Sequence, residues 1–326
     1  MQFLTQSILL FLATAVIAKN IILSNDDGWQ ATNIRATYYK LKEAGHEVWL
    51  VAPVSQRSGF GGKFDIPTSP TLQTDGEFKY PPAGSPSWGH EEDDDHIWYF
   101  NGTPASSIAF GLQYVIPEKF NNVSIDLVVA GPNEGTNLSP GMFTLSGTVG
   151  ATYNSVYRGY PAVAFSGSNS NNSFFKDSLD LDDANEPSTI YANKVTEFVN
   201  QLFEGQGDES RALPLGVGLN VNFPKVGHED ESCTDPAWVY TRLTGDSAGG
   251  PDLKYNADKD VFESSLGSWE ALKICHNGDC SLPSENSVVE HRKCSSSVSV
   301  FSIDYDANLN ITNKVEGVLH PLFRKD

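Results

Sequence analysis

Ile-Ile-Leu-Ser-Asn-Asp-Asp-Gly, residues 21–28, is an apolar run that stops at two adjacent aspartates, Asp26 and Asp27. Consecutive apolar residues are typical of a strand buried on both faces, and Asn-Asp-Asp-Gly is typical of a loop. Open parallel sheets bind ligands at the carboxyl ends of their strands, and adjacent carboxylates there repel each other unless a cation lies between them. The stretch therefore predicts a first strand that ends at a divalent-ion site. A surface turn is the alternative, because Asp-Gly also occurs in hairpins.

The composition is that of a globular protein with an excess of acid. The chain has 326 residues, of which 39% are hydrophobic and 11% aromatic, so it can form a sizeable core in one or two domains. Its formal net charge of -19 repels polyanions, which argues against nucleic-acid polymers and anionic membranes as partners. A small phosphate ester would need a local cation in order to bind such a protein.

The first 18 residues have the pattern of a secretory signal peptide, although they lack its basic start. They carry no charge, are apolar between Ile8 and Ala18, and end in small residues. We expect cleavage near Ala18 and a secreted protein, since no later run is long enough to span a bilayer. Sequons typical of secreted glycoproteins begin at Asn101, Asn122, Asn137, Asn171 and Asn310.

The four cysteines, Cys233, Cys275, Cys280 and Cys294, all lie in the last third of the chain. An oxidising compartment favours two disulfides, for which three connectivities are possible. The Asn-Gly-Asp turn at 277–279 makes a Cys275–Cys280 pair feasible. The spacings do not suit a structural zinc site.

Strands alternate with helices up to Pro224, which predicts an α/β fold with a Rossmann-like, doubly wound, mostly parallel sheet. Segment 167–188 is interpreted as a surface excursion, and His46 as an exposed turn residue. Beyond Pro224, we expect a β-rich C-terminal extension packed on the core, so the predicted division is 1–18, 19–224 and 225–326. The predicted strands are 21–23, 47–52, 97–100, 125–130, 161–166, 215–223, 237–243 and 298–303, and the helices are 34–43, 104–115, 146–158 and 189–203.

Four loops are predicted at the same edge of this sheet. They contain the aspartate pair, Ser58, Asn133 and the helix start at 146–148. The first three supply hard oxygen ligands suited to Mg²⁺, Mn²⁺ or Ca²⁺, and a helix start supplies N–H groups that bind phosphate. A cation opposite an anion-binding helix start is an arrangement suited to phosphoryl transfer.

The chain resembles the SurE family of metal-dependent phosphatases and nucleotidases over about residues 20–166, and weakly as far as 224. The motifs that carry the resemblance, in order, are Asn25-Asp-Asp-Gly28, Val51-Ala-Pro53 with Arg57-Ser-Gly59, Asn101-Gly-Thr-Pro104, Gly131 to Asn137 and Ser146-Gly-Thr-Val149. Carried over by this resemblance, the metal ligands are Asp26, Asp27, Ser58 and Asn133, and the phosphate contacts are Asn137, Ser146, Gly147 and Thr148. The catalytic residues would be Asp26 and Asp27, either of which could also accept a proton or attack directly.

The chain also departs from the family pattern. Val54 stands where an aspartate is usual, Ser139 stands where a glycine is usual, and segment 137–146 is one residue longer. These departures affect the phosphate side of the site and leave the metal ligands in place. The resemblance also implies a homodimer through the C-terminal region, because members of the family assemble through C-terminal arms.

Three other motifs favour structural interpretations. The Gly-x-Ser-x-Gly string at 245–249 precedes Gly250-Pro251, which does not suit the helix that a nucleophile elbow requires. The Asp-x-Asp at 304–306 leaves too few residues for the remaining motifs of a haloacid-dehalogenase-type phosphatase. The acidic run at 90–96 is interpreted as a solvated loop, with a second cation site as the alternative.

The sequence thus predicts a secreted phosphomonoesterase that requires Mg²⁺ or Mn²⁺, with Ca²⁺ as a possible occupant in a crystal. Its substrates would be nucleoside monophosphates or simple phosphate esters. The alternative is a secreted metal-binding or structural protein that keeps this fold without turnover.

Overall fold

The computed structural model describes residues 18–169 and 172–322. The predicted signal peptide lies outside these residues except for Ala18, and so does Asn171 of one sequon. Among the helices of the described residues, none combines the length and the apolar character needed to cross a membrane.

Nine strands of the described chain form one sheet, and two more form a separate hairpin. The strands are β1 Asn20–Ser24, β2 Glu47–Pro53, β3 Trp88–His90, β4 Ile97–Phe100, β5 Leu127–Glu134, β6 Ala162–Gly167, β7 Val217–Asn222, β8 Ala237–Thr241, β9 Gly250–Asn256, β10 Val261–Gly267 and β11 Ser295–Ser302. The sheet order is β3-β4-β2-β1-β5-β6-β7-β11-β8. The six strands from β4 to β7 in this order are parallel, whereas β3 and β11 are antiparallel to their neighbours β4 and β7. The predicted α/β class is confirmed, with antiparallel strands added towards the C-terminus.

Helices cover both faces of the sheet. They are α1 Thr32–Glu43, α2 Pro104–Phe110, α3 Ile116–Lys119, α4 Ser139–Leu145, α5 Gly147–Tyr157, α6 Phe175–Ser178, α7 Pro187–Gln206, α8 Glu285–Val289 and α9 Leu309–Leu319, with a π-helical turn at Gly111–Val115 between α2 and α3. Alternate residues of β1 pack on opposite faces of the sheet. Ile21 and Leu23 lie in the same apolar cluster as Tyr38 of α1, and Ile22 lies in the cluster that contains Val149 of α5.

The chain reverses its direction of sheet growth between β1 and β5. From β1 it proceeds to β2 and β4 on one side, and from β5 to β6 and β7 on the other. Such a switch point opens a crevice at the carboxyl ends of the two central strands, where open α/β sheets bind ligands. Asp26 and Asp27 follow β1 at this point, and Asn133 lies near the end of β5.

Several elements differ from the sequence prediction. The strand predicted at 125–130 begins at Leu127 and continues to Glu134, with a register shift against β6 between Ala130 and Asn133. The elements β3, α4, α9 and the β9–β10 hairpin were not predicted. The excursion at 167–188 includes α6, and the Ser173 carbonyl accepts a hydrogen bond from the Thr32 N–H.

The interpretation of His46 as an exposed residue was wrong, because only 4% of it is exposed. Helix α7 covers the turn between α1 and β2: the Oδ1 atom of Asn200 lies 2.9 Å from the His46 Nε2 atom, and Phe203 packs against the ring. This burial lowers the pKa of His46.

The residues after Pro224 join the main sheet, since β11 pairs with β7 and β8 pairs with β11. The disulfides connect Cys233 to Cys294 and Cys275 to Cys280, which is one of the three connectivities left open by the sequence. The division of the chain at residue 224 stays a prediction.

Candidate metal and phosphate site

Asp26 and Asp27 lie in a tight loop directly after β1, and both are buried, with 2% and 0% of their surface exposed. Asn25 shapes this loop: its Oδ1 accepts from the Gly28 N–H at 3.2 Å, and its Nδ2 donates to the Gly28 carbonyl at 3.0 Å. An Asn side chain that closes a turn on its own backbone is common loop chemistry. Here it holds the two carboxylates inside the crevice.

The start of α5 contacts Asp26. Thr148 Oγ1 donates to Asp26 Oδ1 at 2.5 Å, and the Gly147 N–H donates to Asp26 Oδ2 at 3.2 Å. Ser146 caps the helix, since its Oγ accepts from the Val149 N–H at 3.1 Å. The partial positive charge of a helix N-terminus favours a carboxylate at this position. Two of the predicted phosphate contacts are therefore hydrogen-bonded to a predicted metal ligand.

Asp27 has one satisfied oxygen and one unsatisfied oxygen. Its Oδ2 accepts from the Glu134 N–H at 2.9 Å, whereas its buried Oδ1 has no hydrogen-bond partner among the described residues. Burial raises the pKa of Asp26. The pKa of Asp27 is raised well above its usual value, first by burial and then by the negative charges of Asp26 and Glu134. A cation beside the pair would relieve the repulsion and satisfy the unpaired oxygen, so these residues fit a divalent metal.

Asn133 shares a partner with Asp26. Its Oδ1 lies 3.5 Å from Thr148 Oγ1, the hydroxyl that also donates to Asp26. Its Nδ2 donates to the Gly135 carbonyl at 2.6 Å, which fixes the side chain. The structure therefore brings three of the four predicted metal ligands together: Asp26, Asp27 and Asn133.

Ser58 lies beside this group without a hydrogen bond to it in the described part of the chain. Its neighbour Arg57 donates its backbone N–H to the Asp26 carbonyl at 2.6 Å, which brings the loop after β2 against the aspartates. The Ser58 side chain is exposed. Its role as a ligand stays a prediction.

Asn137 is buried, and polar residues of β6 and β7 hold it. Its Nδ2 donates to Ser166 Oγ at 2.7 Å, and its N–H donates to Asn222 Oδ1 at 2.7 Å. Its carbonyl accepts from Asn220 Nδ2 at 3.0 Å. The network fixes the loop on the phosphate side of the predicted site. Because Asn137 is buried, the sequon that begins there is not accessible from solvent.

Two carboxyl groups near the site were not predicted. Glu134 follows Asn133, and burial raises its pKa to about 7, with the negative charge of Glu229 adding to the effect. Glu285 comes from the C-terminal region and hydrogen bonds to Ser139. Glu134 lies inside a motif noted in the sequence, but no local pattern marks Glu285.

The other motifs occur in surface positions. Ser247 of the Gly-x-Ser-x-Gly string is exposed in a loop that leads into β9, and not into a helix. In the acidic run at 90–96, a partly exposed cluster of Asp94, Asp95 and His96 brings ligand atoms within 4.8 Å of one another. That cluster precedes β4, so it lies at the opposite edge of the sheet from Asp26.

Comparisons with known proteins identify the family and the fold. The family described as "Survival protein SurE" matches residues 21–247. An acid phosphatase of Yarrowia lipolytica is 45% identical over 289 residues, which cover 88% of this chain and 80% of that protein. A 5'-nucleotidase SurE of Archaeoglobus fulgidus is 30% identical over 254 residues, which cover 72% of this chain and 85% of that protein. The crystal structure of the SurE protein from Aquifex aeolicus matches the fold with a TM-score of 0.61 at 21% identity, covering 92% of this chain and 99% of that one.

Proposed function

This chain belongs to the SurE family, and from that premise we propose that it is a divalent-metal-dependent phosphomonoesterase acting on nucleoside monophosphates or simple phosphate esters. The names of its relatives, acid phosphatase and 5'-nucleotidase, support the reaction class. The metal dependence rests on one observation above all: the Oδ1 atom of Asp27 is buried beside a second carboxylate and has no hydrogen-bond partner in the described residues.

Asp26, Asp27, Ser58 and Asn133 would hold the ion, and their oxygen ligands suit Mg²⁺ or Mn²⁺. When bound, such an ion supplies positive charge to the phosphoryl oxygens of the substrate. Thr148 keeps the Asp26 carboxylate oriented, and burial of the loop restricts the access of water. Asp26 or Asp27 would also accept a proton or act as the nucleophile.

Asn137, Ser146, Gly147 and Thr148 are proposed to contact the phosphate. The partial positive charge at the start of α5, which faces the aspartate pair, supports this assignment. A local field of this kind is needed because the whole protein, at a net charge of -19, repels anions.

We further propose that the protein is secreted after cleavage near Ala18 and that it has no membrane or nucleic-acid partner. The uncharged apolar leader and the two disulfides support the secretory route. Exposed apolar residues in the C-terminal region support a homodimer, among them Leu253, Phe262 and Leu266, which are 64%, 68% and 76% exposed.

The test measures hydrolysis of p-nitrophenyl phosphate and of 5'- and 3'-nucleotides with Mg²⁺ or Mn²⁺, with EDTA, and in Asp26→Asn. We expect EDTA to abolish turnover and Asp26→Asn to reduce it at least a hundredfold, because the variant removes a charged ligand. Asp95→Asn is the matched control, since it removes an exposed aspartate at the opposite sheet edge. Activity that resists EDTA, or that survives in Asp26→Asn, would contradict the metal site. A metal-binding chain without turnover on the whole panel would favour the inactive alternative.

A further inference from the structure

Glu285 is a carboxyl group that the proposed chemistry does not use. It is the first residue of α8, it is fully buried, and its N–H donates to the Arg242 carbonyl just after β8 at 3.1 Å. The Arg242 guanidinium does not neutralise it but donates to the Leu282 carbonyl and to Thr244 Oγ1. A buried carboxyl without an ion pair is costly, so its position calls for an explanation.

The two oxygens of Glu285 hold two different segments of the phosphate side of the site. Oε2 accepts from the Ser139 N–H at 2.9 Å, and Oε1 accepts from Asn220 Nδ2 at 2.8 Å. The same Asn220 Nδ2 also donates to the Asn137 carbonyl at 3.0 Å. Glu285 therefore completes a hydrogen-bonded network around Asn137.

The network also holds the backbone of Ser139 in an unfavourable conformation. The φ of Ser139 is 66°, which lies in the left-handed region that disfavours residues with a Cβ. Besides the bond to Glu285, the Ser139 hydroxyl donates to the Gly249 carbonyl. Two hydrogen bonds thus hold the loop in a backbone conformation that serine itself disfavours.

We propose that Glu285 is a positioning residue, whose carboxyl group fixes the loop at 137–139 and so places Asn137 for contact with phosphate. The inference rests on the proposed function, because Asn137 is assigned there to the phosphate side. A glutamine cannot fill the same place fully. It has one acceptor oxygen, whereas two N–H donors, from Ser139 and Asn220, converge on Glu285.

The groups that face Glu285 from α4, β7 and β11 are the Ser139 N–H, the Asn220 amide and the Ser299 hydroxyl, and all three are neutral. Burial raises the pKa of Glu285 to about 8, and these three hydrogen bonds oppose that rise. The ionised form accepts from both donors better than the acid form does. Glutamine imitates the acid form, since it too has one good acceptor.

The experiment compares the wild type with Glu285→Gln between pH 6 and pH 9. Two quantities are measured for each protein: the KM for p-nitrophenyl phosphate, and the dissociation constant of inorganic phosphate, which is obtained by calorimetry. For each quantity, the value for Glu285→Gln is divided by the value for the wild type at the same pH. This ratio cancels the titration of the phosphate itself. We expect a ratio near one at pH 6 that rises to roughly tenfold at pH 9, the size of one lost charged hydrogen bond. The Mg²⁺ concentration for half-maximal activity should stay unchanged, because Asp26 and Asp27 lie outside this network. Glu290→Gln, at the exposed end of α8, is the control.

A ratio near one throughout pH 6 to pH 9, or an equal effect in an Asn137→Ala background, would overturn the inference. If Glu285→Gln does not fold, Glu285→Asp replaces it, since the shorter side chain withdraws both oxygens, and a KM equal to the wild-type value would then count against the role. Phosphate binding without turnover would contradict the proposed function and leave the Glu285 comparison valid. A wild-type chain that neither turns over esters nor binds phosphate would overturn both.

Discussion

At Gly147, the start of α5 approaches Asp26 so closely that a side chain has no room. A Cβ at this position would lie 2.8 Å from the Asp26 Cβ and 2.9 Å from its Oδ2. We predict that Gly147→Ala displaces the Asp26 carboxylate, lowers kcat/KM by at least about tenfold and raises the Mg²⁺ concentration needed for half-maximal activity. Metal titrations of p-nitrophenyl phosphate hydrolysis measure both effects.

Gly205→Ala is the matched control for this prediction. Gly205 lies near the end of α7 with no atom within 4 Å of a built Cβ. Alanine there should leave the metal response unchanged and raise the free energy of unfolding by about 0.5–1 kcal/mol through helix propensity. An unchanged metal response in Gly147→Ala would show that the helix start does not need this close approach.

For single residues, the sequence predicts the candidate ligands better than the side chains that support them. Asp26 and Asp27 could be predicted because an apolar strand ending at paired carboxylates is a local pattern. The contact of Thr148 with Asp26 could not, since the same helix start is equally suited to bind phosphate or a carboxylate. Glu285 gives no local signal, because it reaches Ser139 only through the fold.

Among the elements, the two disulfides close loops of very different length. Cys233–Cys294 has a sequence separation of 61 and joins the chain before β8 to the residue before β11, whereas Cys275–Cys280 has a separation of 5. Longer loops lose more entropy on cross-linking, by about 2 kcal/mol between these two lengths in the chain-entropy description. We predict that replacing Cys233 and Cys294 by alanine destabilises the protein more than replacing Cys275 and Cys280. Urea denaturation of the two double variants measures the difference, and an equal loss would contradict the prediction.

The elements that were predicted correctly are those buried on the main sheet. β1 and β2 are largely continuous apolar runs, apolar residues alternate with Gly218, Asn220 and Asn222 in β7, and α1 and α7 have clear helical patterns. The β9–β10 hairpin was not predicted, although apolar and polar residues alternate along β9 from Pro251 to Asn256. The Gly-Pro pair at 250–251 is typical of a turn, yet it begins β9, and β10 does not alternate. Most of the hairpin is exposed, so it has no buried apolar run of the kind that predicts a core strand.

In the whole molecule, the hairpin of β9 and β10 exposes apolar side chains, and a monomer does not explain this exposure. Register places Pro251, Leu253 and Tyr255 on one strand opposite Leu266, Ser264 and Phe262 on the other. Because opposed residues share a face, one face of the hairpin is almost wholly apolar, and the other carries residues such as Asp252, Lys254 and Glu263. A two-stranded hairpin is marginally stable on its own, and an apolar face exposed to water favours association.

We therefore predict that the wild-type protein is a dimer at micromolar concentration and that Leu253→Glu with Phe262→Glu makes it a monomer. The two glutamates would place unpaired charge in the apolar contact, which costs several kilocalories per mole of association energy (about 2–5 kcal/mol). Size-exclusion chromatography with light scattering measures the mass. Leu215→Glu is the control, since Leu215 is 72% exposed but lies before β7 on the main sheet. A monomeric wild type, or a dimer that survives both glutamates, would contradict the prediction. Because Asp26 and Asp27 lie at the β1–β5 switch within one chain, the monomeric variant should retain the metal-dependent turnover proposed above.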